Sequence, residues 1–104
     1  MITNFRLYEM NEDNPEIGDY VICNQGHTTH EGNFIKNKIG KIIRNDYIPR
    51  YYPYAITYDN IPADIFDEEI NNIRIILFKR DDIEYWSKNK EELELILQTN
   101  KFNI

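Results

Sequence analysis

Cysteine and histidine are scarce in this chain of 104 residues, in which Cys23 is the one cysteine and His27 and His30 are the two histidines. A single cysteine excludes a disulfide within the chain, which fits a reducing compartment. No apolar run approaches the ~20 residues that a membrane-spanning helix needs, and the first residues form no charged and then apolar secretory leader. We therefore expect a cytoplasmic protein without a membrane partner.

Glycine is scarce as well, and the four glycines are too widely spaced to form a phosphate-binding loop. Acidic residues are numerous, but in an acidic chain they are most simply explained as a solvated surface. Because little else points to catalysis, the sequence predicts a protein that is not an enzyme and that needs no cofactor.

Hydrophobic residues make up 41% of the chain and aromatic residues 13%, which is enough for one core. The length is close to that of one domain, so we expect residues 1–104 to fold as a single unit. The chain also contains 18 Ile, 13 Asn and 8 Tyr, residues that AT-rich codons encode. This composition favours a low-GC genome such as that of a virus, a phage or a firmicute. A viral protein of this kind would act in the host cytosol.

The net charge of −6 argues against a sequence-independent grip on nucleic-acid phosphates. The charge is unevenly distributed, however, because residues 32–50 carry five basic residues against one acidic residue. The basic residues of this stripe are Lys36, Lys38, Lys41, Arg44 and Arg50. The stripe either offsets neighbouring acids, at little energetic worth, or contacts nucleic acid weakly and in a salt-sensitive way. We do not expect nucleic acid to be the main partner.

Several segments rich in β-branched and aromatic residues lie between turn signals, which predicts strands. They are "DYVIC", "IGKIIR", "YYPYAITYD" and "NIRIILFK", while "DDIEYWS" fits either a helical turn or a short fifth strand. Gly40 is expected at a bulge or at a close approach of the backbone. The stretch "NQGHTTHEGN" is predicted to be a loop, and "NIPADIFDEE" a loop or a short 3₁₀ turn.

One helix is predicted, over residues 89–98. Asn89 is suited to be its N-cap and Glu92 stands at the capping-box position. Leu93, Ile96 and Leu97 share one face of this helix. That face either packs on the strands or presents a hydrophobic stripe to a partner.

The series "GDYVIC…IGKIIR…YAITYDNIP…RDDIEYW", about residues 18–86, resembles an SH3-like small barrel of the KOW, Tudor and mind-bomb kind. It is also similar to small virus-encoded proteins in which a tail like "WSKNKEEL" follows the barrel. The resemblance implies a mostly β fold, namely an SH3-like five-stranded barrel with a C-terminal α-helix. Such barrels bind peptides, modified side chains or nucleic acids and are rarely enzymes, so the fold leaves the function open.

The stretch "CNQGHTTHEG" contains residue types that bind zinc, namely Cys23, His27, His30 and Glu31. Zinc sites usually combine ligands from two separate elements, and no second cysteine or histidine lies elsewhere in the chain. Strand alternation also places Cys23 on the same side as Val21, as a buried hydrophobe. We therefore predict no metal site, and a metal- or thiol-dependent enzyme that uses Cys23, His27 and His30 is a remote alternative.

The tyrosines near the third strand allow two interpretations. Tyr52, Tyr54, Ile56 and Tyr58 alternate onto one side of the strand, where Tyr54 and Tyr58 are expected to be core. Aromatic residues can also form a groove or cage that binds polyproline or methylated cations. The residues available for such a cage are Tyr20, Tyr47, Tyr51, Tyr52, Tyr85 and Trp86.

These observations predict a protein-interaction module whose acidic surface attracts a basic protein partner. The sharpest hypothesis is a viral or phage accessory protein that inhibits a basic, nucleic-acid-binding host factor. The partner-binding face is predicted to contain Tyr51, Tyr52 and Trp86, edged by Asp64, Asp67 and Glu68. The main alternative is a small barrel that binds nucleic acid through Lys36, Lys38, Lys41 and Arg44.

Overall fold

The computed structural model describes residues 14–24 and 28–102. In chain order the elements are β1 (Tyr20–Cys23), α1 (Thr29–Ile35), β2 (Gly40–Arg44), β3 (Tyr54–Thr57), β4 (Glu68–Ile70), β5 (Ile73–Phe78), a 3₁₀ turn (Arg80–Asp82), β6 (Ile83–Ser87) and α2 (Lys90–Phe102). The mostly β class and the C-terminal helix are confirmed. Neither described helix is long and apolar enough to cross a membrane.

The strands form one antiparallel sheet in the order β4-β5-β3-β2-β1-β6. The sheet differs from the predicted five-stranded closed barrel because it has six strands, and its edge strands β4 and β6 do not pair with each other. The sixth strand is β4, which lies at the end of a segment predicted to be a loop or turn. It pairs with β5 through a tight hairpin in which Asn71 and Asn72 both have positive φ angles, of 50° and 68°. Asparagine tolerates this conformation, which gives a turn twisted to suit the two strands.

One face of the sheet, which we call the first face, carries the main core. Its buried residues include Val21, Ile42, Ile56, Ile76 and Phe78, with Tyr54 and Tyr58 among them. The two tyrosines are thus core residues, as the alternation of β3 predicts. The rings of Phe34 and Phe78 meet the Tyr58 ring edge to face, with centroid distances of 5.9 and 6.5 Å.

The opposite face, which we call the second face, carries a smaller cluster. Ala55, Ile75 and Leu77 are buried there. The partly buried residues packed on them are Ile43, Tyr47, Tyr52 and Ile70. Tyr52 therefore lies on the opposite side from Tyr54, contrary to the predicted alternation. The reason is that β3 begins only at Tyr54, and Tyr52 belongs to the preceding turn.

The helix α2 packs against β1 and β6 and buries Leu93 completely. Its predicted N-cap is confirmed, since the Asn89 side chain accepts a hydrogen bond of 3.0 Å from the Glu91 N–H. The Asn89 N–H donates a hydrogen bond of 2.9 Å to the Ser87 hydroxyl, which links the start of α2 to the end of β6. The Glu92 carboxylate accepts a hydrogen bond from the same hydroxyl.

The prediction that "NQGHTTHEGN" is a loop is wrong for its second half, because α1 begins at Thr29. Thr28 is the N-cap, and its hydroxyl accepts a hydrogen bond of 3.1 Å from the Glu31 N–H. Threonine followed three residues later by glutamate is the capping-box pattern, which marks a helix start. In the sequence this pattern is the string "TTHE" of residues 28–31. It lies between Gly26 and Gly32, and glycines are typical of loops.

Candidate functional site

Cys23, the one potential nucleophile of its kind, lies on the first face among core residues and is only 5% exposed. The pKa of its thiol is raised to about 12: burial is the main cause, a hydrogen bond with Tyr58 acts to lower the pKa, and the negative charge of Asp82 acts to raise it. A nucleophilic cysteine needs the opposite, an accessible thiol with a lowered pKa. Cys23 therefore behaves as a small core residue.

The hydroxyl of Tyr58 is buried beside this thiol and has no hydrogen-bond partner of good geometry. Burial raises its pKa well above the ordinary value, and the Cys23 thiol adds to the effect. A thiol is a weak hydrogen-bonding group, so this contact leaves the hydroxyl poorly satisfied. With both pKa values raised, the thiol and the hydroxyl are protonated at neutral pH.

The two other predicted residues of this stretch that the structure describes, His30 and Glu31, differ in exposure. His30 is exposed, whereas Glu31 is buried at the start of α1. His27 lies outside the described residues. Among the residues that the structure does describe, no group of three or more Cys, His, Asp or Glu side chains could hold a metal ion.

The predicted aromatic face is divided by the structure. Trp86 is only 7% exposed and belongs to the main core, with the Arg80 guanidinium 4.5 Å from its ring centroid. The prediction that Trp86 lines a docking surface is therefore corrected: the side chain alternates onto the first face of β6. Tyr51 is 67% exposed, and Tyr52 is partly buried on the second face.

Tyr51 lies in a tight turn of residues 48–52, which we call the Tyr51 turn. The Tyr51 and Tyr52 N–H groups both donate to the Ile48 carbonyl, at 3.0 and 2.9 Å, and the Ile48 N–H donates back to Tyr52. The turn leaves the side chains of Ile48 and Tyr51 exposed on a backbone held by hydrogen bonds. Ile48 was not predicted as a site residue, because only the folded turn brings it next to Tyr51.

The three predicted acidic residues lie near β4 but differ in role. Asp64 and Glu68 are exposed. Asp67 accepts a hydrogen bond of 3.0 Å from the Leu77 N–H and so helps to hold the start of β4 on β5. With Glu69, which is also exposed, Asp64 and Glu68 form what we call the acidic edge. Glu68 pairs with Ile75 and points to the second face, whereas Glu69 pairs with Arg74 and points to the first face. This edge borders the second face, where Ile70 and Tyr52 pack on the same buried residues.

The basic stripe is not one surface in the folded protein. Lys36 and Lys38 precede β2 and line two clefts beside α2. Lys41 and Arg44 lie within β2, directly opposite Thr57 and Ala55 of β3. Residues that pair across antiparallel strands point to the same side, so Lys41 and Arg44 project from the second face.

Two adjoining clefts of about 360 and 290 Å³ lie between α2 and the segment that joins α1 to β2. Asn37 and Leu97 line both. The larger one also contains the oppositely charged Lys90 and Glu94. Cys23 lines the smaller one, but its thiol is protonated at neutral pH. The described lining thus offers mixed polar contacts and no activated nucleophile.

Comparisons of the chain with protein-family models, with curated proteins and with solved structures find no match. The function must therefore be argued from the residues themselves.

Proposed function

We propose that the protein is a non-enzymatic interaction module that binds a basic protein segment through the Tyr51 turn and the acidic edge. The observation that carries the proposal is the exposure of Ile48 and Tyr51 on a turn whose backbone is held by hydrogen bonds. A tyrosine side chain has only two rotatable bonds, so on a fixed backbone it loses little conformational entropy when a partner covers it, which is why tyrosine is common among residues that dominate interfaces.

The charge of the partner follows from the acidic edge. Asp64 and Glu68 are exposed, and Glu68 points to the face that already presents apolar side chains. Apolar anchors with a charged rim are the usual composition of a docking surface, and complementary charge speeds the encounter. A lysine- or arginine-rich segment meets both requirements.

In its sharpest form the proposal is a viral or phage accessory protein that occupies the basic surface of a nucleic-acid-binding host protein in the host cytoplasm. We also propose that the sheet is an opened variant of an SH3-like barrel. In support, the five strands expected from that resemblance are consecutive neighbours, in the order β5-β3-β2-β1-β6, and β4 is added outside them.

The test measures binding of the immobilised protein to a lysine-rich peptide and to a glutamate-rich peptide of the same length. We expect the basic peptide alone to bind, and Glu68→Lys to weaken that binding strongly. The matched control is Glu94→Lys, which makes the same kind of charge change on α2. Any acidic protein attracts a basic peptide to some extent, whether or not it has a specific site. The decisive variant is therefore Tyr51→Ala, which tests the site itself.

Tyr51→Ala changes no charge, and as a central anchor it should weaken binding by about 2 kcal/mol, roughly thirtyfold. Equal affinity in the Tyr51→Ala variant, or equal loss in the Glu94→Lys control, would contradict the proposal. With the surface mapped in this way, capture from a host lysate over a salt titration identifies the natural partner.

A further inference from the structure

We propose that the second face of the sheet also binds single-stranded nucleic acid, through a strip formed by Tyr20, Lys41, Arg44, Tyr52 and Lys79. This goes beyond the proposed function, since it concerns a different class of ligand and a different set of charges. We call these five residues the cationic–aromatic strip.

The strand register places the strip on one side of the sheet. Tyr20 of β1 pairs with Lys41 of β2, and Lys41 pairs with Thr57 of β3. Thr57 points to the same side as Ala55, which is two residues earlier in β3 and buried on the second face. Arg44 pairs with Ala55 directly, after a bulge in β2. One basic residue at each end of β2 thus projects from the second face.

Each lysine of the strip lies against an aromatic ring. The Lys41 Nζ atom is 5.6 Å from the Tyr20 ring centroid. Lys79 and Tyr52 repeat the arrangement at 5.7 Å, farther along the same face. Tyr51, which precedes Tyr52 in the chain, adds a ring that is 67% exposed. Rings alternating with cations are the combination that single-stranded nucleic acid requires, because bases stack on rings while phosphates attract the cations.

The ring contacts distinguish nucleic acid from other anions. An acidic peptide would use the cations but gain little from tyrosine rings, whereas every base has a face that can stack. Duplex nucleic acid keeps its bases stacked on each other and offers no free base faces to these rings. The combination on this face therefore favours a single strand.

The net charge of −6 does not oppose binding at this place. At physiological salt, charges farther away than about 8 Å are largely screened, so the groups near the strip decide its potential. Of the two acidic charges that precede Tyr20 in the chain, one is offset, because the Lys88 ammonium lies 3.0 Å from both Glu16 and Asp19. The acidic edge lies on β4, which β5 and β3 separate from Lys41 and Arg44 of β2. Arg50, in the Tyr51 turn, adds a further exposed positive charge.

The experiment measures fluorescence anisotropy of labelled oligothymidine and oligouridine, each about 20 nucleotides long and so longer than typical site sizes of about 4–16 nucleotides. We expect wild-type protein to bind at low salt, with affinity falling as salt rises. Comparing the two oligonucleotides shows whether DNA or RNA is preferred. Each phosphate contact contributes about 0.7 to the slope of log affinity against log salt, so Lys41→Gln with Arg44→Gln should lower the slope by about 1.4.

The matched control is Lys36→Gln with Lys38→Gln, which removes two charges from the same sequence stripe but beside α2 rather than on the second face. Its slope should equal that of the wild type. Tyr51→Ala should weaken binding by roughly 5- to 150-fold, and Tyr51→Phe should restore it, because stacking needs the ring and not the hydroxyl.

Three results would overturn the proposal: no binding of either oligonucleotide at low salt, equal losses in the two double variants, or binding of a glutamate-rich peptide as tight as that of the oligonucleotides. Thermal melting of every variant separates loss of the site from loss of the fold. Tyr51→Ala is common to this test and the basic-peptide test, so the two proposals are separated by their charge variants: Lys41→Gln with Arg44→Gln should leave basic-peptide binding intact, and Glu68→Lys should leave oligonucleotide binding intact.

Discussion

The ring of Tyr58 lies so close to the backbone of Gly40 that a Cβ atom on Gly40 would be 2.8 Å from the tyrosine Cζ atom. The same Cβ atom would be 2.5 Å from the Ile56 Cγ2 atom. Because Gly40 has no side chain, Ile56 of β3 and Tyr58, which directly follows β3, can pack against the backbone at the start of β2. Close approach, the second of the two roles predicted for Gly40, is confirmed.

Gly40→Ala should therefore destabilise the fold by about 1–3 kcal/mol, since the added methyl group overpacks the core. Urea denaturation measures the change. Gly40→Asn should be worse than Gly40→Ala, because the larger side chain overlaps more. Gly18 is the comparison: it has a φ angle of +95° and open space around it. There asparagine should be tolerated better than alanine, since the constraint is the backbone angle. The same order at both glycines would disprove the packing explanation.

Alkaline pH should destabilise the protein through Cys23. The pKa of this thiol is raised from an ordinary 9.0 to about 12. The unfolded chain therefore loses the proton first, and stability falls as pH rises from 9 towards 12, by up to about 1.4 kcal/mol per pH unit. The Cys23→Val variant removes this titration. Its loss of stability should start at higher pH, where the raised pKa of Tyr58 begins to contribute.

Urea midpoints measured across the alkaline range check this prediction, and identical pH profiles for the two proteins would contradict it. The buried thiol should also react slowly with DTNB in the native state and quickly after unfolding. Rapid native labelling at neutral pH would show that the thiol is accessible.

Trp86 and Tyr51, which the sequence assigned to the same binding face, should differ strongly in how much stability is lost when each is replaced by alanine. Trp86→Ala should cost about 3–5 kcal/mol, because it leaves a cavity in the main core. Tyr51→Ala should change stability by no more than about 0.5 kcal/mol, since the ring is largely in solvent. Thermal and urea denaturation of both variants decide the matter, and a large loss in Tyr51→Ala would place that ring in the core instead.

Thr28→Ala should destabilise the protein by about 0.5–2 kcal/mol through loss of the α1 N-cap. Thr29→Ala, one residue on, is the control and should cost less. If this polar stretch serves as a helix start and not as a metal site, neither EDTA nor added zinc should alter the melting temperature of the wild type. One tightly bound equivalent of zinc would refute that interpretation.

Local pattern was sufficient for much of the fold. The strands β1, β2, β3 and β5 lie within the segments rich in Ile, Val and Tyr, and the Asn89 cap begins α2. Alternation within a single strand also predicted that Cys23 and Tyr58 are buried. These features depend on residues close together in the chain, whose preferences the sequence expresses directly.

Other features depend on which distant segments meet. The acidic β4 is a strand because β5 offers it an edge and Asn71 and Asn72 close the hairpin. Trp86 is buried because Val21 of β1 pairs with it and turns it towards the main core. The prediction from side-chain alternation was wrong at Tyr52. Side chains alternate between the two faces only while the backbone is extended, and Tyr52 belongs to the Tyr51 turn that precedes β3.

The basic stripe shows most clearly which properties the sequence determines and which depend on contacts between distant segments. Five cations within residues 32–50 were visible in the sequence. Only the paired strands show that Lys41 and Arg44 share a face with Tyr20, while Lys36 and Lys38 lie beside α2. Charge and side-chain type are properties of the chain, but the neighbours that turn them into a surface are set by long-range strand pairing.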